Sequence, residues 1–168
     1  MISQPYSGEY IERIYDNDSA WNSPNWSSIK FTNDDHTEWC GQFGGLVRQV
    51  AISLKYNVVL VLTSDYMFHL DRETGSVIGL EDQPQANNLT VAPNGDFILA
   101  DYYHLERTTS RTTQRESIPS PIEMDAIKFK GWSNSKLEFT CNEFTNWDRH
   151  LIMAYDHETN AIEIVNAN

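Results

Sequence analysis

A short polar stretch near the N-terminus brings together residue types that bind metal ions. It holds His36 and Cys40, with the carboxylates Asp34, Asp35 and Glu38 beside them. A structural zinc site normally draws on four nitrogen or sulfur ligands, and only two lie close together here. We therefore interpret the stretch as a solvated loop, and we predict that the protein holds no metal and no other cofactor.

The residue types of a catalytic triad are also present, as Cys40, His150 and Asp148. The sequence around them shows neither a nucleophile elbow nor an oxyanion-hole glycine pattern with a matching base. The glycines within residues 41–45 lack the strand–loop–helix context in which phosphate-binding loops occur. We predict that the protein is not an enzyme. A small metal- or Cys-dependent hydrolase that uses His36 and Cys40 is an alternative.

The five tryptophans are candidate platforms for stacking sugar rings. Tryptophan lies more often in a core or at its rim, and the irregular spacing of the five favours that position. A carbohydrate- or peptide-binding β module that uses the tryptophans is the second alternative.

Charge points to the kind of partner. The chain of 168 residues has 24 acidic against 12 basic side chains, a formal net charge of −12. An acidic chain repels phosphate backbones, which disfavours direct binding to nucleic acid and favours a basic protein partner. Acidity by itself also keeps a protein soluble, so the charge leaves both interpretations open.

Several features of the sequence favour the cytoplasm. The first residues have neither the basic start nor the apolar core of a signal peptide. No apolar run approaches the roughly 20 residues of a membrane-spanning helix, so no membrane association is expected. The two cysteines, Cys40 and Cys141, make no disulfide framework, and a reduced pair is the default.

The elements that would position these residues are short strands. Residues 58–62 form an apolar, β-branched run, residues 66–70 and 76–80 follow after tight turns, and residues 46–54 precede them. Such spacing predicts a four-stranded antiparallel meander, the unit of a β-propeller blade.

The meander recurs along the chain. Residues 88–117 carry an Asn-Gly hairpin signal and repeat the Asp-Tyr dipeptide, and residues 124–165 repeat the Asp-x-Glu-Thr turn. Gly75 ends that turn in the first repeat and Asn160 ends it in the third, so both are expected to have positive φ. No helix longer than about three turns is expected from residue 46 to residue 165.

The N-terminal residues 1–45 are the least regular part. Residues 10–15 and 28–32 read as short strands, while residues 33–45 read as a long loop. Whether this part completes a fourth blade stays open. We predict a single all-β domain spanning residues 1–168, built from successive antiparallel β-meanders.

The hydrophobic-Asp-x-Glu-Thr-Gly phrase between short strands resembles the blades of quinoprotein-type and related β-propellers, over roughly residues 46–165. In those families the phrase forms a structural hairpin and carries no catalysis. Three blades are fewer than a closed propeller usually needs, and the chain is similar in size, acidity and architecture to half-propeller immunity proteins of bacteria. The resemblance implies an immunity protein that neutralises a cognate basic nuclease toxin in contact-dependent growth inhibition.

Acids and aromatics are expected to gather at one end of the sheets. Asp65, Asp101 and Glu143 each follow the second strand of a repeat, and each is followed directly by an aromatic residue. The connections between repeats, which lie at the same end, add further acids. That turns simply favour Asp is the competing explanation. The candidate partner-binding residues are Asp65, Tyr66, Asp101, Tyr102, Glu143, Phe144, Glu81, Asp82, Glu123 and Asp125.

Overall fold

Every regular element in the described part of the chain is a β-strand. The computed structural model describes residues 1–6, 8–16, 23–108 and 114–167. In chain order the strands are β1 (Ile11–Tyr15), β2 (Trp26–Thr32), β3 (Glu38–Gly44), β4 (Val47–Ser53), β5 (Val58–Thr63), β6 (Tyr66–Asp71), β7 (Val77–Asp82), β8 (Asn88–Val91), β9 (Phe97–Ala100), β10 (Leu105–Thr108), β11 (Glu116–Ile118), β12 (Met124–Ser133), β13 (Lys136–Glu143), β14 (Asn146–Asp156) and β15 (Ala161–Ala167). Among these residues there is no helix long and apolar enough to cross a membrane.

The first sheet has the order β1-β3-β2, with β2 antiparallel and β1 parallel to β3. The prediction of a loop over residues 33–45 is therefore wrong for β3. The glycines of β3 are typical of a loop, but Gly41 lies in a strand because aromatic rings pack closely against its backbone. A Cβ atom there would lie 2.5 Å from the ring of Phe43, which stacks on Tyr15 with centroids 4.5 Å apart.

The three predicted meanders are four-stranded sheets with the orders β4-β5-β6-β7, β11-β10-β9-β8 and β12-β13-β14-β15. The expected turn geometry is confirmed, since φ is 65° at Gly75 and 56° at Asn160. Asp71 closes the first of these turns by accepting hydrogen bonds from the backbone N–H groups of Glu73 and Thr74. This is the Asx geometry that favours aspartate in turns.

The first two turns of the third meander are tight, and each contains a residue with positive φ. Gly131 lies within β12 at an irregularity in strand pairing, and the turn that follows is at Asn134, where φ is 54°. The next strand, β13, continues to Glu143, and β14 begins at Asn146 after a turn in which Thr145 has a φ of 67°.

The chain divides into two compact units. Unit 1 comprises Met1–Val50 and Leu60–Pro84, and unit 2 comprises Ala51–Val59 and Gln85–Asn168, so the division passes through β4 and β5. Unit 1 holds an aromatic cluster of Tyr15, Phe31, Trp39, Phe43 and Phe68. Unit 2 packs its sheets around an apolar cluster that includes Ile98, Leu105, Leu137, Phe139, Met153 and Tyr155. The single domain stays a prediction.

Candidate functional site

The three turn acids occupy the expected position in their own meanders. Asp65 lies between β5 and β6, Asp101 between β9 and β10, and Glu143 at the end of β13 just before β14. Each therefore lies at the turn that joins the second strand to the third. Asp65 belongs to unit 1, and the other two belong to unit 2.

Hydroxyl groups hold the carboxylate of Asp65 in unit 1. Its Oδ2 accepts hydrogen bonds from Ser23 Oγ at 2.5 Å and from Ser64 Oγ at 3.2 Å. Its backbone carbonyl accepts a hydrogen bond from the N–H of Gln83 at 2.8 Å, directly after β7. Glu81 and Asp82 at the end of β7 thus lie at the same end of the sheet as Asp65, as expected.

Tyr66 departs from the prediction. Its side chain is only 2% exposed, and its ring centroid lies 5.6 Å from that of Phe68. A buried ring cannot contact a docked partner, so its assignment to a binding surface is corrected. Tyr102, its counterpart in the Asp-Tyr match, is 56% exposed. The reason is that β6 begins at Tyr66, whereas β10 begins only at Leu105.

In unit 2, the tyrosines that follow Asp101 are exposed, whereas Tyr66 in unit 1 is buried. The Oδ1 atom of Asp101 accepts hydrogen bonds from the backbone N–H groups of Tyr103 and His104, both at 2.7 Å. The backbone carbonyl of Tyr102 accepts a further hydrogen bond from the N–H of Ile127 at 3.3 Å. The turn is therefore held by the Asp101 side chain and by the N–H of Ile127, with Tyr103 46% exposed.

A second turn of unit 2 meets the first. The N–H of Phe144 donates to the carbonyl of Glu123 at 2.9 Å, and the Phe144 side chain is 42% exposed. The Phe144 ring lies edge-on to that of Tyr103, with centroids 6.0 Å apart and planes at 85°. Between the turns lies a cleft of about 430 Å³, which we call the aromatic cleft; its lining includes Tyr103, His104, Ile122, Glu123, Met124 and Phe144.

The acids around the aromatic cleft differ in how far their own chain neutralises them. Glu143 accepts hydrogen bonds from Arg149 at 2.9 Å and from Asn146 at 3.1 Å. The hydrogen bond from Arg149 lowers the pKa of Glu143, so its charge is kept and balanced locally. Glu123 is exposed and Asp125 is half-buried, and within the described residues neither has an ion-pair partner.

Sequence reasoning missed Tyr103, His104 and Ile122. One signal was available, because two consecutive tyrosines directly after a strand cannot both point into the core of a single sheet. Glu123 lies at the expected end of the sheet, beside Phe144. Its position follows from the register of β12 and β13, which pairs Met124 with Glu143, so that the N–H of Phe144 donates to the carbonyl of Glu123.

The candidate catalytic and metal-binding residues do not form a site in the described part of the chain. Cys40 is fully buried in β3, and burial raises the pKa of its thiol, which is the opposite of activation. His36 lies in the exposed β2–β3 turn, and His150 Nδ1 lies 2.6 Å from Asn142 Oδ1. Burial raises the pKa of Cys141 to about 11. No group of three metal-ligating side chains occurs among the described residues.

The tryptophans are dispersed. Trp39 is 7% exposed, and Trp132 of unit 2 donates its Nε1–H to Thr90 Oγ1 at 3.0 Å. Trp26 is 46% exposed in unit 1. Trp21 and the side chain of Trp147 lie outside the described residues. Trp39 and Trp132 thus make their contacts within their own units, Trp39 by stacking on Phe31.

Comparisons with known proteins bear on the fold. No protein-family model and no curated protein matches the chain. A protein provisionally named TolB from Agrobacterium tumefaciens matches 84% of this chain with a TM-score of 0.55 and 13% identity. The extracellular domain of a provisionally assigned one-component system from B. thetaiotaomicron matches 73% with a TM-score of 0.53 and 11% identity.

The chain spans 55% and 17%, respectively, of those two proteins. Identities this low carry information about fold and none about activity. The described residues contain strands without a helix, three of the four sheets are antiparallel meanders, and the TolB structure is a β-propeller. The predicted fold class is confirmed: the chain is all-β, built from antiparallel meanders that resemble an incomplete β-propeller.

Proposed function

We propose that the protein is an immunity protein that binds a cognate basic nuclease toxin in the cytoplasm and covers its active site or substrate-binding surface. The observation that carries the proposal is the aromatic cleft, where exposed aromatic rings lie beside Glu123 on a chain with a net charge of −12. The proposal needs neither a cofactor nor a membrane, and the partner is a protein.

The aromatic residues supply the affinity that such a function requires. Tyrosine is enriched among the residues that dominate protein interfaces, because a large ring costs little conformational entropy when it is immobilised. Tyr102, Tyr103 and Phe144 are 56%, 46% and 42% exposed, and hydrogen-bonded turns hold their backbone. Rings that are exposed and already ordered lose little freedom on binding, which leaves more of the contact energy for affinity.

The acidic charge determines which kind of partner the protein prefers. A nuclease that grips phosphate groups presents lysine and arginine side chains around its substrate-binding surface. An acidic protein is attracted to the same surface, and the attraction accelerates the encounter in a salt-dependent way. Around the aromatic cleft, Glu123 and Asp125 contribute more than Glu143, because Arg149 already balances Glu143.

A co-expression experiment tests the function. The product of the gene beside this chain's gene is purified alone and with this protein, and its charge, its nuclease activity and the dissociation constant are measured at two salt concentrations. We expect stoichiometric inhibition, with affinity falling as salt increases. A nuclease that keeps full activity while bound, or a neighbouring product that does not bind, would reject the immunity function.

A further inference from the structure

The aromatic cleft combines three chemical features in one place. The rings of Tyr103 and Phe144, in edge-to-face contact with each other, form part of its wall, the apolar side chains of Ile122 and Met124 line it, and Glu123 contributes a carboxylate. The cleft of about 430 Å³ is large enough for a long side chain and open to solvent. Aromatic faces and a carboxylate both attract a cation, whereas the apolar lining suits a hydrocarbon stem.

We propose that the aromatic cleft receives an arginine side chain of the basic partner. The proposal rests on the proposed function and names the recognition element of the same surface. The guanidinium group stacks on an aromatic ring, its N–H groups donate to Glu123, and its methylene stem lies along Ile122 and Met124. Arginine fits better than lysine, because its planar group can stack on a ring and hydrogen-bond in its own plane at the same time.

Electrostatics within the cleft favour a positive occupant. Glu123 has no ion-pair partner among residues 1–6, 8–16, 23–108 and 114–167, so an incoming cation displaces no salt bridge between those residues. His104 is the other group in the lining that can carry a charge near neutral pH, and its Nδ1 lies 3.6 Å from Asp101 Oδ2, which provides a countercharge if the imidazole is protonated. A neutral apolar side chain would leave the Glu123 carboxylate unused, and an acidic one would be repelled.

The test uses N-acetyl-L-arginine amide as the probe. Its binding to the full chain is followed by chemical shift changes of the backbone amides of Tyr103 and Phe144. N-acetyl-L-citrulline amide is the matched comparison, since it has almost the same shape without the charge, and N-acetyl-L-lysine amide compares the two cations. We expect the citrulline probe to bind about tenfold more weakly than the arginine probe, with lysine in between.

Variants locate the site. Glu123→Gln, Tyr103→Leu and Phe144→Leu should each weaken arginine binding severalfold. Glu158→Gln removes the same charge at an exposed position in the β14–β15 turn and should leave binding unchanged. The amide spectrum shows whether each variant is folded, and two independent aromatic substitutions protect the test against the loss of one of them.

The outcomes separate the cleft from the function. Equal binding of the arginine and citrulline probes, or shifts that spare Tyr103 and Phe144, overturns the arginine assignment. Inhibition of the nuclease that is unchanged by Tyr103→Leu and Glu123→Gln would likewise reject the cleft while keeping the immunity function. Arginine binding in the cleft without any effect on a nuclease would keep the cleft and reject that function.

Discussion

The same dipeptide has opposite roles in the first and second meanders. Asp65-Tyr66 and Asp101-Tyr102 both follow the second strand, yet Tyr66 is 2% exposed and Tyr102 is 56% exposed. In the first meander the next strand starts at once and carries the tyrosine into the core. In the second, residues 101–104 form a longer turn that projects its rings outward.

The comparison shows how one fold produces both a buried and an exposed copy of the same dipeptide. Strand pairing determines which side chains point toward the core. Where the third strand begins several residues later, the aromatic residues lie in the turn and are not packed in the core. The backbone hydrogen bonds to Asp101 Oδ1 then replace those of the strand ladder. The turn in unit 2 is therefore the part of the repeat that is available for function.

Replacing the two tyrosines gives the largest expected contrast. Tyr66→Ala should lower the free energy of unfolding by about 3–5 kcal/mol, because it removes a buried ring and leaves a cavity. Tyr102→Ala should change it by about 0.5 kcal/mol or less. Urea denaturation of both variants checks the difference. Similar losses in both would contradict the assignment of one tyrosine to the core and the other to the surface.

The two turns that flank β9 in the second meander also differ in burial. Asp96, before β9, is 4% exposed and accepts hydrogen bonds from Lys55 Nζ at 2.9 Å and Tyr56 OH at 2.5 Å. Burial raises the pKa of its carboxyl, but the hydrogen bonds from Lys55 and Tyr56 outweigh burial and the net pKa is lowered. Asp96→Asn should cost about 2 kcal/mol near neutral pH, in the range of hydrogen bonds to charged groups.

The pH dependence sharpens this test. Because the folded pKa of Asp96 lies below its unfolded value of about 3.9, the stabilisation is complete above that value and is lost as the pH falls through the folded pKa. The stability difference between the wild type and Asp96→Asn should therefore narrow below about pH 4. Glu158→Gln is the control. A difference that stays constant down to pH 2 would show that the charge of Asp96 is not what stabilises the turn.

In the turn after β9, Asp101 accepts hydrogen bonds from the backbone of its own turn. Asp101→Ala removes an acceptor of two backbone N–H groups and should destabilise the protein by about 1 kcal/mol. Asp101→Asn keeps an oxygen acceptor and should cost less. Thermal unfolding compares the two variants. Should both lose the same amount, the charge and not the hydrogen bonding of Asp101 would be the stabilising feature.

The smallest effects on stability are expected for the acids around the aromatic cleft, which should differ instead in their effect on association. Glu123→Gln and Glu143→Gln should each leave the free energy of unfolding almost unchanged, because both are surface substitutions. Glu123→Gln should reduce the association rate with the basic partner more than Glu143→Gln does, because Arg149 already balances Glu143. Stopped-flow kinetics at low and physiological salt measure the difference. Equal rate changes for the two variants would count against local balancing by Arg149.

The amino-acid sequence by itself determined the local features of this protein. The strands of the first meander were predicted within a few residues, and the turn residues Gly75 and Asn160 have the expected positive φ. These features depend on hydrophobic alternation and on residues tolerant of the left-handed region, which are properties of neighbouring residues along the chain. The all-β fold class followed from their repetition.

Only the tertiary structure decided which residues share a surface. The aromatic cleft needs Tyr103 and Phe144, whose rings approach to 6.0 Å although they lie in different meanders. The glycine-containing strand β3 forms because Gly41 makes room for the rings of Phe43 and Tyr15. Burial and proximity of this kind arise from contacts between distant segments, and the identical dipeptides at Tyr66 and Tyr102 show that local sequence leaves them open.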